Sequence, residues 1–340
     1  MQKVNWGIIG LGSIAKQFAD SFNGLNNAEL IGIASKDISK IDTFKANYNL
    51  EKDYCFNDYE SLTKEKNIDL VYIALPTFLH KEWIINCLIN NKNVLVEKPA
   101  TMNSKEMLEV KKYFEEKCYF FEAFMYSYHP QINKVIDLIN QGEIGELVSM
   151  KSCFGINILT KKNWFGFVKK KKINTKNRIF NKEMGGGVIL DLGCYPVSFS
   201  TKIASLKSPL NIEDVTFSNK KIIFGSTGVE IDCNLNINFN NGFYSEICAS
   251  FSKDLGQTTE IIGSSGVIII QDTWTANEAK IILNKREKEF VFDFNLNKNI
   301  YSYQIEALSE LILNKKPSFN HISDINQSLL NMQILDYWKV

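Results

Sequence analysis

Three residues combine a chemistry-bearing side chain with a setting that regular packing does not explain: Lys98, Asp191 and Tyr195. Lys98 stands between Glu97 and Pro99, just after the apolar run NVLV. A proline there pins the turn after the lysine, and the peptide bond before it is free to be cis. Asp191 and Tyr195 lie in MGGGVILDLGCYP, residues 184–196, behind Gly185, Gly186 and Gly187. Four residues apart, they share one face if the segment is helical. Consecutive glycines are costly in regular structure, because each loses more backbone freedom on folding than any other residue. The triplet therefore implies positive φ or a group lying close against the backbone. An amine, a carboxylate and a phenol are suited to binding a hydroxyl and moving its proton.

A second set of residues points to a dinucleotide. Gly10-Leu11-Gly12-Ser13-Ile14-Ala15 directly follows the strand-like VNWGII. The first glycine allows a tight turn, the second lets the backbone approach a pyrophosphate, and Ala15 permits close helix–strand packing. Ser13 and Ile14 open the helix, whose free N–H groups and dipole favour phosphate. The second strand ends in Ala34-Ser35-Lys36-Asp37. NAD sites place a carboxylate there for the ribose hydroxyls. Here a hydroxyl and an ammonium suit the 2′-phosphate of NADP better, and Asp37 comes one or two places too late. The expected cofactor is NADP, with NAD the alternative if Lys36 is only a solvated loop lysine. Ligands bind beyond the carboxyl ends of the strands in open α/β sheets. That adds Leu75, Pro76, Thr77 and His80 after the third strand, and Glu97 and Lys98 after the fourth, to the cofactor-contacting set. His80 lies early in a helix, where capping or ribose contact is favoured over a role as catalytic acid.

The elements that must hold these residues alternate through the first 125 positions. Strands VNWGII, ELIGIAS, DLVYIAL, NVLVEKP and CYFFEAF are separated by helical patterns. That predicts βαβ units and a doubly wound parallel sheet, a Rossmann domain over residues 1–125. Residues 126–340 change character. After the helix PQINKVIDLINQG come LVSMKSCFGI, VTFSNKKIIFG, VEIDCNLNINF, GFYSEICASF, TEIIGSSGVIIIQ and EFVFDF, with a hairpin at NINF–NNG–FYSEI. Successive strands without helices between them predict a large, mostly antiparallel, open-faced sheet in an α+β substrate-binding and oligomerisation domain. Helices over 301–314 and 325–338 close the pattern. An uncovered apolar sheet face, carried by NLNINF and SEICASF, predicts a homodimer or homotetramer.

The 340 residues are 45% hydrophobic and 23% charged, with a net charge of +1, which argues against disorder and gives no field favouring nucleic acid or an anionic membrane. Seven scattered cysteines without metal or redox spacing predict no disulfide framework and no metal site. With no secretory pattern at the first residues and no long apolar run, the expected compartment is the cytoplasm. The lysine-rich KKNWFGFVKKKKINTKN, residues 161–177, reads as a solvated loop, with an anion-facing loop for a phosphorylated substrate as the alternative.

Taken together, GLGSIA, VLVEKPA, EAFMYSYHP, GGGVILDLGCYP and IIGSSGVIIIQDTW resemble the Gfo/Idh/MocA family of oxidoreductases over essentially the whole length. EAFMY…HP and GGG…DLGCYPV resemble most the branch of dihydrodiol dehydrogenases and NADP-dependent D-xylose dehydrogenases. The resemblance implies that Lys98 contacts substrate and the nicotinamide region and that Asp191 and Tyr195 form the second-domain pair. It also implies that Phe124, Tyr126 and His129 line the pocket. It departs from the pattern at Ser127, where relatives often carry Arg, and in the 161–177 segment. Trp164 is an expected sugar-stacking aromatic. The glycines would then make room for cofactor and substrate.

Elementary chemistry supports these roles. A free tyrosine has a pKa of about 10 and is a poor base at neutral pH. A cation about 4 Å away contributes roughly 4 kcal/mol at an effective dielectric near 20, about three pKa units before desolvation takes some back. Lys98 beside Tyr195 would bring the phenol into working range. The expected activity is hydride transfer between nicotinamide and a carbinol or carbonyl of a sugar or cyclic polyol. The alternatives are a redox-cycling glycoside hydrolase and a non-catalytic cofactor-binding regulator.

Overall fold

The computed structural model describes residues 2–115, 117–162, 164, 167–275, 278–313 and 324–340. They form two compact units, residues 1–129 with 296–325 and residues 130–295 with 326–340. The first unit is built on β1 (Val4–Ile9), α1 (Ser13–Asp20), β2 (Ala28–Ala34), α2 (Ile38–Tyr48), β3 (Cys55–Phe56) and α3 (Tyr59–Lys64). It continues with β4 (Leu70–Ile73), α4 (His80–Ile89), β5 (Asn93–Val96), α5 (Ser104–Tyr113) and β6 (Phe120–Glu122). The six strands pair in parallel in the order β3-β2-β1-β4-β5-β6. This is the doubly wound sheet that the strand–helix alternation predicts. β1 and β4 are buried almost throughout, as strands covered on both faces must be. Asp37, Asp58 and Asn103 cap α2, α3 and α5 with their side chains. The two-residue edge strand β3 has no sequence signature and was not expected.

The second unit runs α6 (Pro130–Asn140), β7 (Leu147–Gly155), β8 (Thr160–Lys162), β9 (Val168–Lys170), a π turn (Ile189–Gly193) and α7 (Cys194–Ala204). Then come β10 (Val215–Phe224), β11 (Glu230–Phe239), β12 (Tyr244–Ser250), β13 (Thr259–Gly263), β14 (Gly266–Ile270), β15 (Glu278–Lys285) and β16 (Lys288–Asn295). Eight strands form one sheet in the order β10-β11-β12-β7-β13-β14-β15-β16, antiparallel except where β12 meets β7. The NNG hairpin joins β11 and β12 as expected. The last two helices are α8 (Ile300–Ile312) and α9 (Ile325–Lys339). The expected end of α8 at Asn314 lies outside the described residues.

Four expectations are corrected here. A single cut near residue 125 does not describe the units, because α8 returns to the first one. Trp6 Nε1 donates to Ser309 Oγ at 3.0 Å, Ser302 Oγ donates to the Ser21 carbonyl, and Tyr301 meets the Phe18 ring edge-on. The cysteines are not all isolated: Cys153 and Cys248 face each other in the parallel β7–β12 pairing and form a disulfide. Ninety-five residues separate them, so only the sheet register reveals the pair. Thr160–Lys162 and Val168–Lys170 pair as the antiparallel strands β8 and β9 rather than as plain loop, although Lys161, Lys169 and Lys170 are solvent-exposed on them. Finally, Leu235, Ile237 and Phe239 of NLNINF are buried within the unit. The other face carries the cross-strand row Asn236, Glu246, Lys151, Glu260, Ile269, Ile282 and Val291, polar at one end and aliphatic at the other. The polar end of that row lies on β11–β12 and its aliphatic end on β14–β16. Among the described residues no helix is long and apolar enough to cross a membrane.

Candidate functional site

The first unit gathers the residues expected to contact a dinucleotide at the carboxyl ends of its strands. Gly10 adopts φ +89°, and a Cβ there would come within 2.7 Å of the Ala74 carbonyl oxygen, so the β1–α1 turn and the end of β4 touch through bare backbone. Gly12 has open space where a Cβ would be, and it leaves α1 without a side-chain cap and without an acid in the first turn. Gly12 and Ser13 are exposed, while Ala15 is buried behind the partly buried Ile14. An uncapped, accessible helix N-terminus next to two glycines fits a dinucleotide pyrophosphate.

At the end of β2, the Asp37 carboxylate caps α2, accepting from the Ser39 hydroxyl at 2.6 Å and the Ser39 N–H at 3.1 Å. The Ser39 hydroxyl bond is the main reason its carboxyl lies below the usual range. That accounts for Asp37 as a cap rather than a ribose ligand. Ser35 Oγ accepts from the Asp37 N–H, and the Lys36 ammonium extends into solvent 5.7 Å from the Tyr59 ring centre.

His80, for which capping or ribose contact was expected, bridges two loops. It is buried in α4 with Nε2 2.7 Å from the Leu75 carbonyl oxygen and Nδ1 3.0 Å from that of Pro99. Both ring nitrogens face backbone oxygens, so His80 ties the loop after β4 to the loop after β5 instead of reaching a ribose. Pro76 and Thr77 enter the short 3-10 turn Thr77–Leu79 above it. The half-buried Lys98 precedes a cis bond to Pro99. Its turn is held at three points: Tyr72 Oη donates to Glu97 Oε1, His80 meets the Pro99 carbonyl, and the Ala100 N–H donates to the buried Glu122 Oε1 at 2.8 Å. Glu97 thus supports the lysine turn through the Tyr72 hydroxyl. The sequence reading missed Tyr72 and Glu122, because each acts through a partner more than twenty residues away. After β6, Phe124 and Tyr126 are buried with their rings edge-to-face at 5.9 Å, and His129 is buried as well.

In the second unit, the glycine triplet makes room for protein and not for ligand. Gly185 ends a 3-10 turn at φ +77°. A Cβ on Gly186 would run into the carbonyl oxygens of Arg178, Asn181 and Ile179, at 2.5–2.7 Å. Gly187, at φ +114°, lies against the buried Glu230 carboxylate. The Gly186 and Gly187 N–H groups donate to the Asn181 and Ile179 carbonyls at 2.8 and 2.9 Å. The triplet is where the 177–184 loop folds onto the start of the helical rod.

That rod does not begin as an α-helix. Ile189–Gly193 is a π turn, and α7 starts at Cys194. Four residues of α-helix overshoot a full circle by about 40°; the wider π turn brings Asp191 and Tyr195 closer into line. π turns of this length recur at functional sites. Asp191 receives Arg178 Nη2 at 3.3 Å, with side chains 15% and 43% exposed respectively. Tyr195 is buried, edge-on to Phe154 at 5.2 Å and tilted against Trp274 at 5.7 Å. Trp274 Nε1 donates to the Cys153 carbonyl, which fixes the cage to β7. Such ring pairs contribute about 0.5–1.5 kcal/mol each beyond area burial. Trp164, expected against the substrate, is 96% exposed in the β8–β9 turn. The sequence offered one overlooked sign of Arg178: the chain has only two arginines, Arg178 and Arg286, among 39 basic residues.

Residues 4–122 match the oxidoreductase family with an NAD-binding Rossmann fold, and residues 132–269 match the GFO/IDH/MocA C-terminal domain. The chain belongs to the Gfo/Idh/MocA family of oxidoreductases. Within the family it is similar to trans-1,2-dihydrobenzene-1,2-diol dehydrogenase of Xenopus tropicalis, 29% identical over 84% of this chain and 80% of that protein. It is 27% identical to the dTDP-3,4-didehydro-2,6-dideoxy-alpha-D-glucose 3-reductase of Saccharopolyspora spinosa, over 80% of this chain and 76% of that one. The fold matches the aldose-aldose oxidoreductase of Caulobacter crescentus, TM-score 0.83 at 17% identity, over 99% of this chain and 96% of that one. It also matches a 3-ketoreductase of Actinomadura kijaniata solved with NADP and TDP-benzene, TM-score 0.77 at 22% identity, over 98% and 96%. The protein is thus a Gfo/Idh/MocA oxidoreductase acting on CH–OH or carbonyl groups, with a nicotinamide-dinucleotide-binding Rossmann unit.

Proposed function

We propose that this family member is an NADP-dependent dehydrogenase or reductase of a cyclic diol or sugar, with Tyr195 as the acid–base group and Lys98 as the cation that sets its pKa. The observation that carries the reading is the fixed geometry of Tyr195, caged by Phe154 and Trp274, with the Asp191 carboxylate one turn before it. Bound NADP supplies the hydride acceptor or donor. The glycines and the N-terminus of α1 hold its pyrophosphate, and Ser35 and Lys36 receive its 2′-phosphate. Tyr195 Oη takes the proton of the substrate hydroxyl in oxidation and returns it in reduction. Asp191, oriented by Arg178, accepts a hydrogen bond from a neighbouring substrate hydroxyl. A vicinal diol offers two hydroxyls, one for each group. The diol and sugar substrates of the relatives, and the NADP held by the 3-ketoreductase, agree with this assignment.

Titration of the purified protein with NADPH and NADH, followed by nicotinamide fluorescence, tests the cofactor assignment. The expected result is tighter NADPH binding that weakens about tenfold or more in Lys36→Ala, the effect of one lost phosphate–lysine contact. Preference for NADH, or no effect of the substitution, contradicts it. Assembly is proposed through the aliphatic end of the sheet row on β14–β16. Sedimentation equilibrium should give a multiple of the chain mass, and a monomer at all concentrations rejects that part.

A further inference from the structure

We infer that Trp338, in the last turn of α9, is a positioning residue for the π turn that carries Asp191 and Tyr195; the inference rests on the roles proposed for those two residues. A Cβ built on Gly193 would lie 2.9 Å from Trp338 Cζ3 and 3.4 and 3.5 Å from Cη2 and Cε3. The six-membered ring of the indole therefore packs directly against the one residue midway between Asp191 and Tyr195. Trp338 is fully buried, and its Nε1 has no hydrogen-bond partner among the described residues. Packing alone holds the ring, at the cost of an unsatisfied N–H that a phenylalanine would not carry.

The ring is fastened from behind. Lys220 Nζ on β10 donates to the Tyr337 carbonyl at 3.2 Å and the Val340 carbonyl at 2.7 Å. The Tyr337 ring stacks on Phe217 at 3.9 Å, with the Lys220 ammonium over the ring 4.6 Å from its centre. Further along, Thr201 Oγ1 donates to Asn331 Oδ1 at 2.6 Å and accepts from Gln327 Nε2 at 3.4 Å. Trp338 meets residue 193 while Asn331 and Gln327 meet residue 201, so α9 runs antiparallel to the π turn and α7. The last turn of α9 is bolted to β10 on one side, and its indole presses on Gly193 on the other. A shift of that ring turns Asp191 relative to Tyr195 without touching either.

The test is a double-mutant cycle of Gly193→Ala, Trp338→Phe and the pair, read as kcat, KM and the pH dependence of diol oxidation. Tyr195→Phe and NADPH affinity serve as references. Gly193→Ala should lower kcat about 100-fold by driving a methyl into the indole, with NADPH affinity unchanged. Trp338→Phe should cost several-fold and move the rising limb of the pH profile upward, toward the ordinary tyrosine value. The pair should recover about tenfold over Gly193→Ala, because the shorter ring leaves space for the methyl. An additive cycle with unmoved limbs, beside an inactive Tyr195→Phe, overturns the inference alone. A fully active Tyr195→Phe overturns the proposed roles and the inference with them. If Gly193→Ala does not melt cooperatively, the Trp338→Phe limb decides: displaced, it supports positioning; unmoved, it rejects it.

Discussion

The two units prepare their functional groups in opposite ways. The first uses bare backbone: Gly10 of the β1–α1 turn rests on the Ala74 carbonyl at the end of β4, and Gly12 leaves the start of α1 open. The second uses side chains drawn from distant segments: Arg178 on Asp191, Phe154 and Trp274 around Tyr195, Trp338 under Gly193. Backbone recognition suits a cofactor whose phosphates are always the same. Recognition by assembled side chains suits substrates that differ between relatives, because each supporting residue can change without disturbing the helix start. Lys98 lies between these styles. Its own turn is local, but Tyr72, His80 and Glu122 reach it from three other elements.

Gly10→Ala gives the largest expected effect on this contrast. The methyl meets the Ala74 carbonyl in a left-handed backbone, and NADPH affinity should fall at least 100-fold, measured by fluorescence titration. Next is Glu122→Ala, which removes the acceptor of the Ala100 N–H and loosens the Lys98 turn. It should lower kcat about tenfold with little change in NADPH affinity, and Glu122→Gln, which keeps an acceptor oxygen, should restore most of it. Equal loss in both variants would mean that the carboxylate charge matters and not the hydrogen bond.

The smallest effect concerns the helical rod of the second unit. Burial pushes the Lys202 ammonium of α7 down to about 8 from an ordinary value of 10.5. Below pH 8 both folded and unfolded chains hold that proton, and folding carries the desolvation cost of the charge. Between pH 8 and 10.5 the unfolded chain binds the proton and the folded one does not, so this group adds stability as pH rises. The melting temperature of the wild type should therefore gain a few degrees on Lys202→Met between pH 7.5 and 10. A constant difference would show that Lys202 is not desolvated in the folded state.

The contrast also explains what the sequence let one read. The parallel sheet, the Gly10–Ala15 turn and the EKP turn are written in short windows, where periodicity and spacing carry the signal. The placement of α8 with the first unit is not: amphipathic spacing predicts a helix but says nothing of which sheet it covers. His80 reads as a cap or a ribose contact because the Leu75 and Pro99 carbonyls beside its ring nitrogens are invisible until the two loops meet. The glycine triplet signals close approach correctly, but the approaching groups are the 177–184 carbonyls and Glu230, supplied by tertiary packing. The Cys153–Cys248 pair and the Trp274 cage depend on sheet register for the same reason.

The central claim, that Tyr195 moves the substrate proton, is tested most directly by the pH dependence of kcat/KM for diol oxidation with NADP, in the wild type and Tyr195→Phe. The wild type should show a rising limb below the ordinary tyrosine pKa of about 10. The variant should lose roughly 10²–10⁴ in rate together with that limb, while NADPH affinity stays as it was. A variant that keeps both the rate and the limb would contradict the claim and move the proton to another group.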